Sequence, residues 1–136
     1  MHAVSFFRSP SARWLALPVG AVYSLSFAPF GWWPLAILCP AYLFLVWQAA
    51  EPRQAAKAGF WFTAGTFLAG TYWLYHTIYV IGRAPIWLTL FAMLGLVAVM
   101  AAYAAAVGYG FARWLRRGSA FDRLLVLPAA WVTMEW

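Results

Sequence analysis

The charged residues of this chain lie in a few short islands, and the stretches between them are long and apolar. Residues 14 to 50, 58 to 82 and 84 to 112 contain no Asp, Glu, Lys or Arg. A helix crosses a hydrocarbon core of about 30 Å with about 20 mostly apolar residues. The second and third stretches each match one crossing. The first suits two, and it holds a turn where a division is needed, Pro29-Phe30-Gly31-Trp32-Trp33-Pro34. Proline and glycine clusters of this kind punctuate helices. A fourth apolar stretch starts at Leu124 and is still apolar at Trp136. The pattern predicts an all-α integral membrane protein, a polytopic bundle of about five spans. They fall at about residues 14–28, 33–50, 58–80, 85–112 and 121–136, behind an N-terminal segment of residues 1–13. The sequence is expected to stop inside or just after its fifth crossing.

Composition excludes the main alternatives. With 66% hydrophobic and 9% charged residues, no water-soluble surface can be built, and a disordered chain is equally excluded. The net charge of +6 does not indicate nucleic acid, because the basic residues flank apolar runs instead of forming a stripe interleaved with aromatics. The lone Cys39 has no disulfide partner in the chain and fits no metal-ligand spacing, so it reads as a small buried hydrophobe. Arg8, Arg13 and the run to Ala28 resemble a secretory leader. Pro29, however, would occupy the first mature position, and a second apolar run follows at once, so the first run reads as an uncleaved span.

Orientation follows from the basic residues. With alternating spans, Arg8, Arg13, Arg53, Lys57, Arg113, Arg116, Arg117 and Arg123 share one side, and only Arg83 lies on the other. The positive-inside rule makes the first side cytoplasmic, with a cytoplasmic N-terminus. The outer side is then rich in aromatics: Phe30, Trp32 and Trp33 in the first hairpin, Tyr72, Trp73, Tyr75 and Tyr79 ending the third span, Trp87 starting the fourth, and Trp131 and Trp136 on the fifth. Such rings form an interfacial belt, or they line a groove open to lipid; the sequence leaves both open. Gly65 and Ala69 form a small-xxx-small pair, and Gly108 and Gly110 close the alanine-rich fourth span, which suggests close helix packing. Pro18 and Pro40 fall inside predicted helices and are expected to kink them mildly.

Few residues could carry chemistry. No apolar run contains an internal Asp, Glu, Lys or Arg, which argues against a proton-coupled pump or transporter. His76 stands at the outer end of the third span, and Glu135 lies between Met134 and Trp136 with Arg83 as the only base on its side. No nucleophile–base set, phosphate loop or metal constellation is present in the sequence, and no cofactor is expected.

Three segments, taken together, resemble bacterial apolipoprotein N-acyltransferases. Phe27-Ala28-Pro29-Phe30-Gly31-Trp32-Trp33-Pro34-Leu35-Ala36 looks like the family's first outer hairpin. Gly70-Thr71-Tyr72-Trp73-Leu74-Tyr75-His76-Thr77-Ile78, with Gly82 and Pro85 following, resembles the end of its third helix, and Pro128 to Trp136 its fifth-helix segment. The resemblance implies a multi-pass enzyme of the bacterial inner membrane in lipoprotein biosynthesis. Such enzymes move an acyl chain from a membrane phospholipid to the α-amino group of an apolipoprotein's diacylglyceryl-cysteine. They do so through a thioester on a cysteine of a nitrilase-like α/β domain with a Glu-Lys-Cys triad. A thiolate nucleophile divides one acyl transfer into two easier steps. That domain does not occur in this sequence, so no catalytic residue carries over, and Cys39 is no substitute. The membrane positions Phe30, Trp32, Trp33, Tyr72, Trp73, Tyr75, His76, Arg83 and Glu135 are expected to serve as lipid groove or scaffold. A non-catalytic membrane anchor or binding subunit, or a transporter subunit, is the alternative.

Overall fold

The computed structural model describes residues 10–27 and 29–115, with 118–119, 125–126, 129 and 132–133. Among the described residues every regular element is helical. Helix α1 (Pro10–Tyr23) passes into a 3-10 turn, Ser24–Ser26, and is followed by α2 (Trp33–Ala49) and α3 (Pro52–Gly70). The short α4 (Tyr72–Tyr75) runs into a π-helical turn, His76–Ile81. Helix α5 (Ile86–Gly110) continues as a second π turn, Phe111–Leu115.

Prolines and charges set boundaries that differ from the sequence expectation. Helix α1 begins at Pro10, and α3 begins at Pro52 with Glu51 as its N-cap, six residues before the expected start at 58. Proline suits the first helical positions, where its missing N–H would be unpaired anyway. Arg53 and Lys57 therefore sit on α3 and not in a loop. The expected third span is also broken: Thr71 leaves the helical conformation (φ −101°, ψ 15°) and separates α3 from α4. Helices α1 and α2 run through Pro18 and Pro40 without interruption of their helical assignment. The expected fifth span lies almost wholly outside the described residues.

Helix α3 is the hub, packed along α1 on one face and α5 on another, with α2 across its first turns. The contact with α1 is close enough to require glycine. A methyl group on Gly20 would run into the carbonyl oxygen of Phe62, and one on Gly65 into that of Leu17. Lipid offers helices no hydrophobic drive to associate, so close backbone approach supplies the packing. Ala69, expected to extend the Gly65 contact, is exposed instead. Leu17 with Gly65, Gly20 with Thr66 and Ser24 with Gly70 advance together, so α1 and α3 are parallel. Gly59 opposes Ala104 while Ala64 packs with Val97 and Ala101, so α5 is antiparallel to α3. The bundle therefore runs up, down, up and down.

The core is centred on Leu43, Val46, Trp47, Ala55, Ala58 and Phe62. The Trp47 indole lies between Gly59 and Gly108, and its Nε1 donates to the Ala55 carbonyl oxygen at 3.0 Å. Helical hydroxyls turn back to carbonyls of the preceding turn: Ser24 to Ala21 at 2.7 Å, Ser26 to Tyr23 at 2.7 Å and Thr71 to Phe67 at 2.5 Å. Thr63 is the exception among the described residues, with a buried hydroxyl and no partner.

Among the described residues one helix, Ile86–Trp114, is long and apolar enough to cross a membrane, and only 17% of its most apolar window is buried inside the structure. That low burial separates it from the core helix of a soluble fold. The apolar helices Trp14–Ser26 and Trp33–Ala49 are shorter than a standard crossing. Five full-length spans therefore do not appear among the described residues.

Candidate functional site

The α1–α2 hairpin is built by one glycine and a ring of backbone bonds. Gly31 has φ +63°, a left-handed conformation that costs a glycine nothing but would strain any residue with a Cβ. The amide of Gly31 donates to the Phe27 oxygen at 3.1 Å, that of Trp32 to Leu25 at 3.1 Å, and that of Leu35 to Trp32 at 3.0 Å. The chain reverses within this network and turns its rings outward. Phe27, Phe30, Trp32 and Trp33 are all more than half exposed. Gly31, Trp32, Trp33, Pro34 and Leu35 line an open concavity of about 340 Å³.

The second group stands on α4 and the π turn. Tyr72 and Trp73 are exposed, Tyr75 is half-buried, and His76 and Arg83 are exposed. Tyr75 and Tyr79 stack with centroids 5.2 Å apart and planes at 21°. The π turn closes with the Gly82 amide on the Thr77 oxygen at 2.9 Å, and the Ala84 amide reaches Ile78 at 3.2 Å. Arg83 has φ +50°, the one non-glycine residue with positive φ among those described. A wide turn of this kind is often found at functional sites.

The structure brings the two groups to one end of the bundle but at different heights. A Cβ on Gly70 would lie 3.6 Å from the Ser24 Cβ, so the hairpin turns back close to the level of Gly70. Beyond Gly70 the chain breaks at Thr71 and continues as α4 and the π turn, and α5, whose Ala101 packs with Ala64, starts at Ile86, past the level of Gly70. The rings of Tyr72–Ile81 thus form a ridge above the hairpin. Periodicity in the sequence carries no information about this stagger. Phe27 and Ile81 are exposed as well and are not among the residues expected to form the groove or scaffold. Glu135, Trp131 and Trp136 lie outside the described residues.

The side chains exposed here suit recognition of a ligand. Among the described residues no group of three or more His, Cys, Asp or Glu could hold a metal. Cys39 is buried on α2 in the apolar cluster that includes Tyr23, Leu43 and Phe62. Exposed aromatic and aliphatic side chains, with one guanidinium and one imidazole at the rim, fit an apolar ligand with a polar end.

A glycine-packed helical bundle with a membrane-length helix and an aromatic end defines a membrane-type helical domain. The apolipoprotein N-acyltransferase N-terminal domain matches residues 19–136 of this chain. Apolipoprotein N-acyltransferase of Coxiella burnetii is 39% identical over 123 residues, which is 90% of this chain and 25% of that protein. That of Pseudomonas paraeruginosa is 41% identical over 122 residues, 89% of this chain and 24% of that protein. That of Vibrio vulnificus is 33% identical over 118 residues, 87% of this chain and 23% of that protein. The chain belongs to the apolipoprotein N-acyltransferase family and corresponds to its N-terminal domain. It spans about a quarter of the length of these relatives.

Proposed function

We propose that this chain is the N-terminal membrane part of an enzyme that moves an acyl chain from a phospholipid to the N-terminal diacylglyceryl-cysteine of a lipoprotein. The observation that carries the reading is the family match over residues 19–136. On this reading the protein is a multi-pass component of the bacterial inner membrane with a cytoplasmic N-terminus. The residues of this chain supply a scaffold and a lipid-facing surface, and the acyl-transfer chemistry resides in a further domain.

The exposed rings of Phe30, Trp32, Trp33, Tyr72 and Trp73 support a surface that meets lipid. Their apolar bodies match acyl chains, and the polar edges of Tyr and Trp match the headgroup level. Arg83 and His76 at the rim suit a phosphate-bearing headgroup. Glu135 is assigned a structural role, positioning the end of the last apolar segment.

The test is a fusion. This chain joined to the remaining three quarters of a relative should restore N-acylation of lipoproteins in cells depleted of their own enzyme, read by mass spectrometry of lipoprotein N-termini. The chain alone should not. A fusion that accumulates in the membrane yet yields no triacylated product contradicts the reading and favours a non-catalytic membrane subunit.

A further inference from the structure

We propose that the α1–α2 hairpin stops below the membrane surface at its aromatic tip, and that the upper acyl chains of phospholipid in the adjoining leaflet lie around it. This rests on the membrane reading given above and adds a specific depth and a specific occupant.

Length is the first argument. Trp14–Ser26 and Trp33–Ala49 are the two shorter apolar helices. At 1.5 Å per residue they reach about 20 and 25 Å, against a hydrocarbon core of about 30 Å. Ile86–Trp114 reaches about 43 Å on the same basis. Helix α3, extended by α4 and the π turn to Ile81, is also longer than the hairpin helices. The register puts the shortfall at the tip: Ser24 is level with Gly70, the Trp32 amide already returns to the Leu25 oxygen, and α5, whose Ala101 packs with Ala64, starts at Ile86, past that level.

The tip is also prepared for an apolar medium. Backbone groups in hydrocarbon must be paired within the protein. The amides of Phe27, Gly31, Trp32, Trp33 and Leu35 all bond to carbonyls of the same hairpin. The hydroxyls of Ser24 and Ser26 are paired with Ala21 and Tyr23. No charged residue occurs between Trp14 and Ala50. A loop built for water would carry unpaired polar groups and charge.

The occupant is lipid on grounds of charge and shape. A hydrophobic element shorter than the bilayer leaves its end at acyl-chain depth unless the bilayer thins, which costs free energy for every ångström of mismatch. The tip offers exposed Phe27, Phe30, Trp32 and Trp33 and no charge, which suits acyl chains, whereas the exposed Arg83 belongs to the segment after the π turn.

Depth-dependent quenching in phosphatidylcholine vesicles tests the proposal. The emission lost in a Trp32→Phe/Trp33→Phe variant reports the tip, and that lost in Trp87→Phe reports the ridge; all three residues are exposed, and circular dichroism checks that helix content is kept. The tip emission should be quenched more by a spin label in the upper acyl chain than by one on the headgroup, and the ridge emission the reverse. In vesicles of shorter-chain lipid, the tip's preference should move toward the headgroup label. Stronger headgroup quenching at both positions in standard bilayers overturns the recessed hairpin and leaves the membrane reading intact. So does a tip that neither label reaches while Trp87 is quenched, since another part of the protein would then cover it. No quenching of any tryptophan by either label overturns the membrane reading as well.

Discussion

The indole Nε1 of Trp47, near the end of α2, donates a 3.0 Å hydrogen bond to the carbonyl oxygen of Ala55 in the first turn of α3. Both residues are completely buried. The ring is held in a slot that only glycine leaves open. A Cβ on Gly108 would lie 2.8 Å from the indole, and one on Gly59 would lie 3.1 Å from it. Phe111 closes the slot at 6.3 Å between ring centroids. One side chain thus joins α2, α3 and α5.

Trp47 is therefore expected to dominate the stability of this end of the bundle. Trp47→Ala should cost about 3–5 kcal/mol through lost burial and the cavity left behind. Trp47→Phe keeps most of the apolar volume and loses the hydrogen bond, so it should cost about 1 kcal/mol plus a small packing loss. Dodecyl sulfate titration of the purified chain, followed by circular dichroism, measures both. Equal midpoints for the two variants would show that the ring's volume is not what matters.

The glycines give a sharper contrast. Gly20→Ala and Gly65→Ala each force a methyl group onto a carbonyl of the facing helix, so α1 and α3 must separate. Gly95, on α5, has nothing within 4 Å of a built Cβ. Gly95→Ala should leave stability unchanged or raise it by up to about 1 kcal/mol, since alanine is the better helix former. The same titration should rank the Gly20 and Gly65 variants well below the parent and the Gly95 variant at or above it. Loss of stability in Gly95→Ala would mean that its face is packed.

Much of this architecture is legible in the sequence, and what is not has physical causes. The hairpin at Gly31 was readable because proline and glycine restrict the backbone locally, whatever surrounds them. The sequence puts the start of α3 too late, because a run without charges marks depth in an apolar medium and not the first helical residue. Arg53 and Lys57 are helical and charged at once. The break at Thr71 follows Gly70 and carries no proline, so no local pattern announced it. Gly65 was recognised as a close-packing residue, but its partners, Leu17 and Ala21, could come only from three dimensions. The rings of the candidate site were identifiable by type. Their division into a lower hairpin and a higher ridge depends on the relative lengths of helices that pack side by side.

Two threonines on α3 should respond oppositely to the same change. The Thr66 hydroxyl lies 3.0 Å from both the Gly20 and Phe62 carbonyl oxygens, and its single proton links α1 to α3 in one of these arrangements. Thr66→Val should cost about 0.5–1.5 kcal/mol. Thr63 is 2% exposed and its hydroxyl has no partner. Thr63→Val removes a buried polar group at nearly constant shape, so it should be neutral or stabilising by up to about 1–3 kcal/mol. Thermal aggregation of the two variants in detergent, compared with the parent, gives the ordering. A destabilised Thr63→Val would reveal a partner for that hydroxyl.

The central claim is a membrane bundle whose basic ends face the cytoplasm and whose aromatic end faces outward. Cysteine labelling in intact cells tests it most directly, in a Cys39→Ser background. Glu51→Cys sits in the exposed turn between α2 and α3, and Ala84→Cys between the π turn and α5. A membrane-impermeant maleimide should modify position 84 in intact cells and position 51 only after the membrane is permeabilised. Labelling of position 51 from outside, with position 84 protected until permeabilisation, would contradict the account.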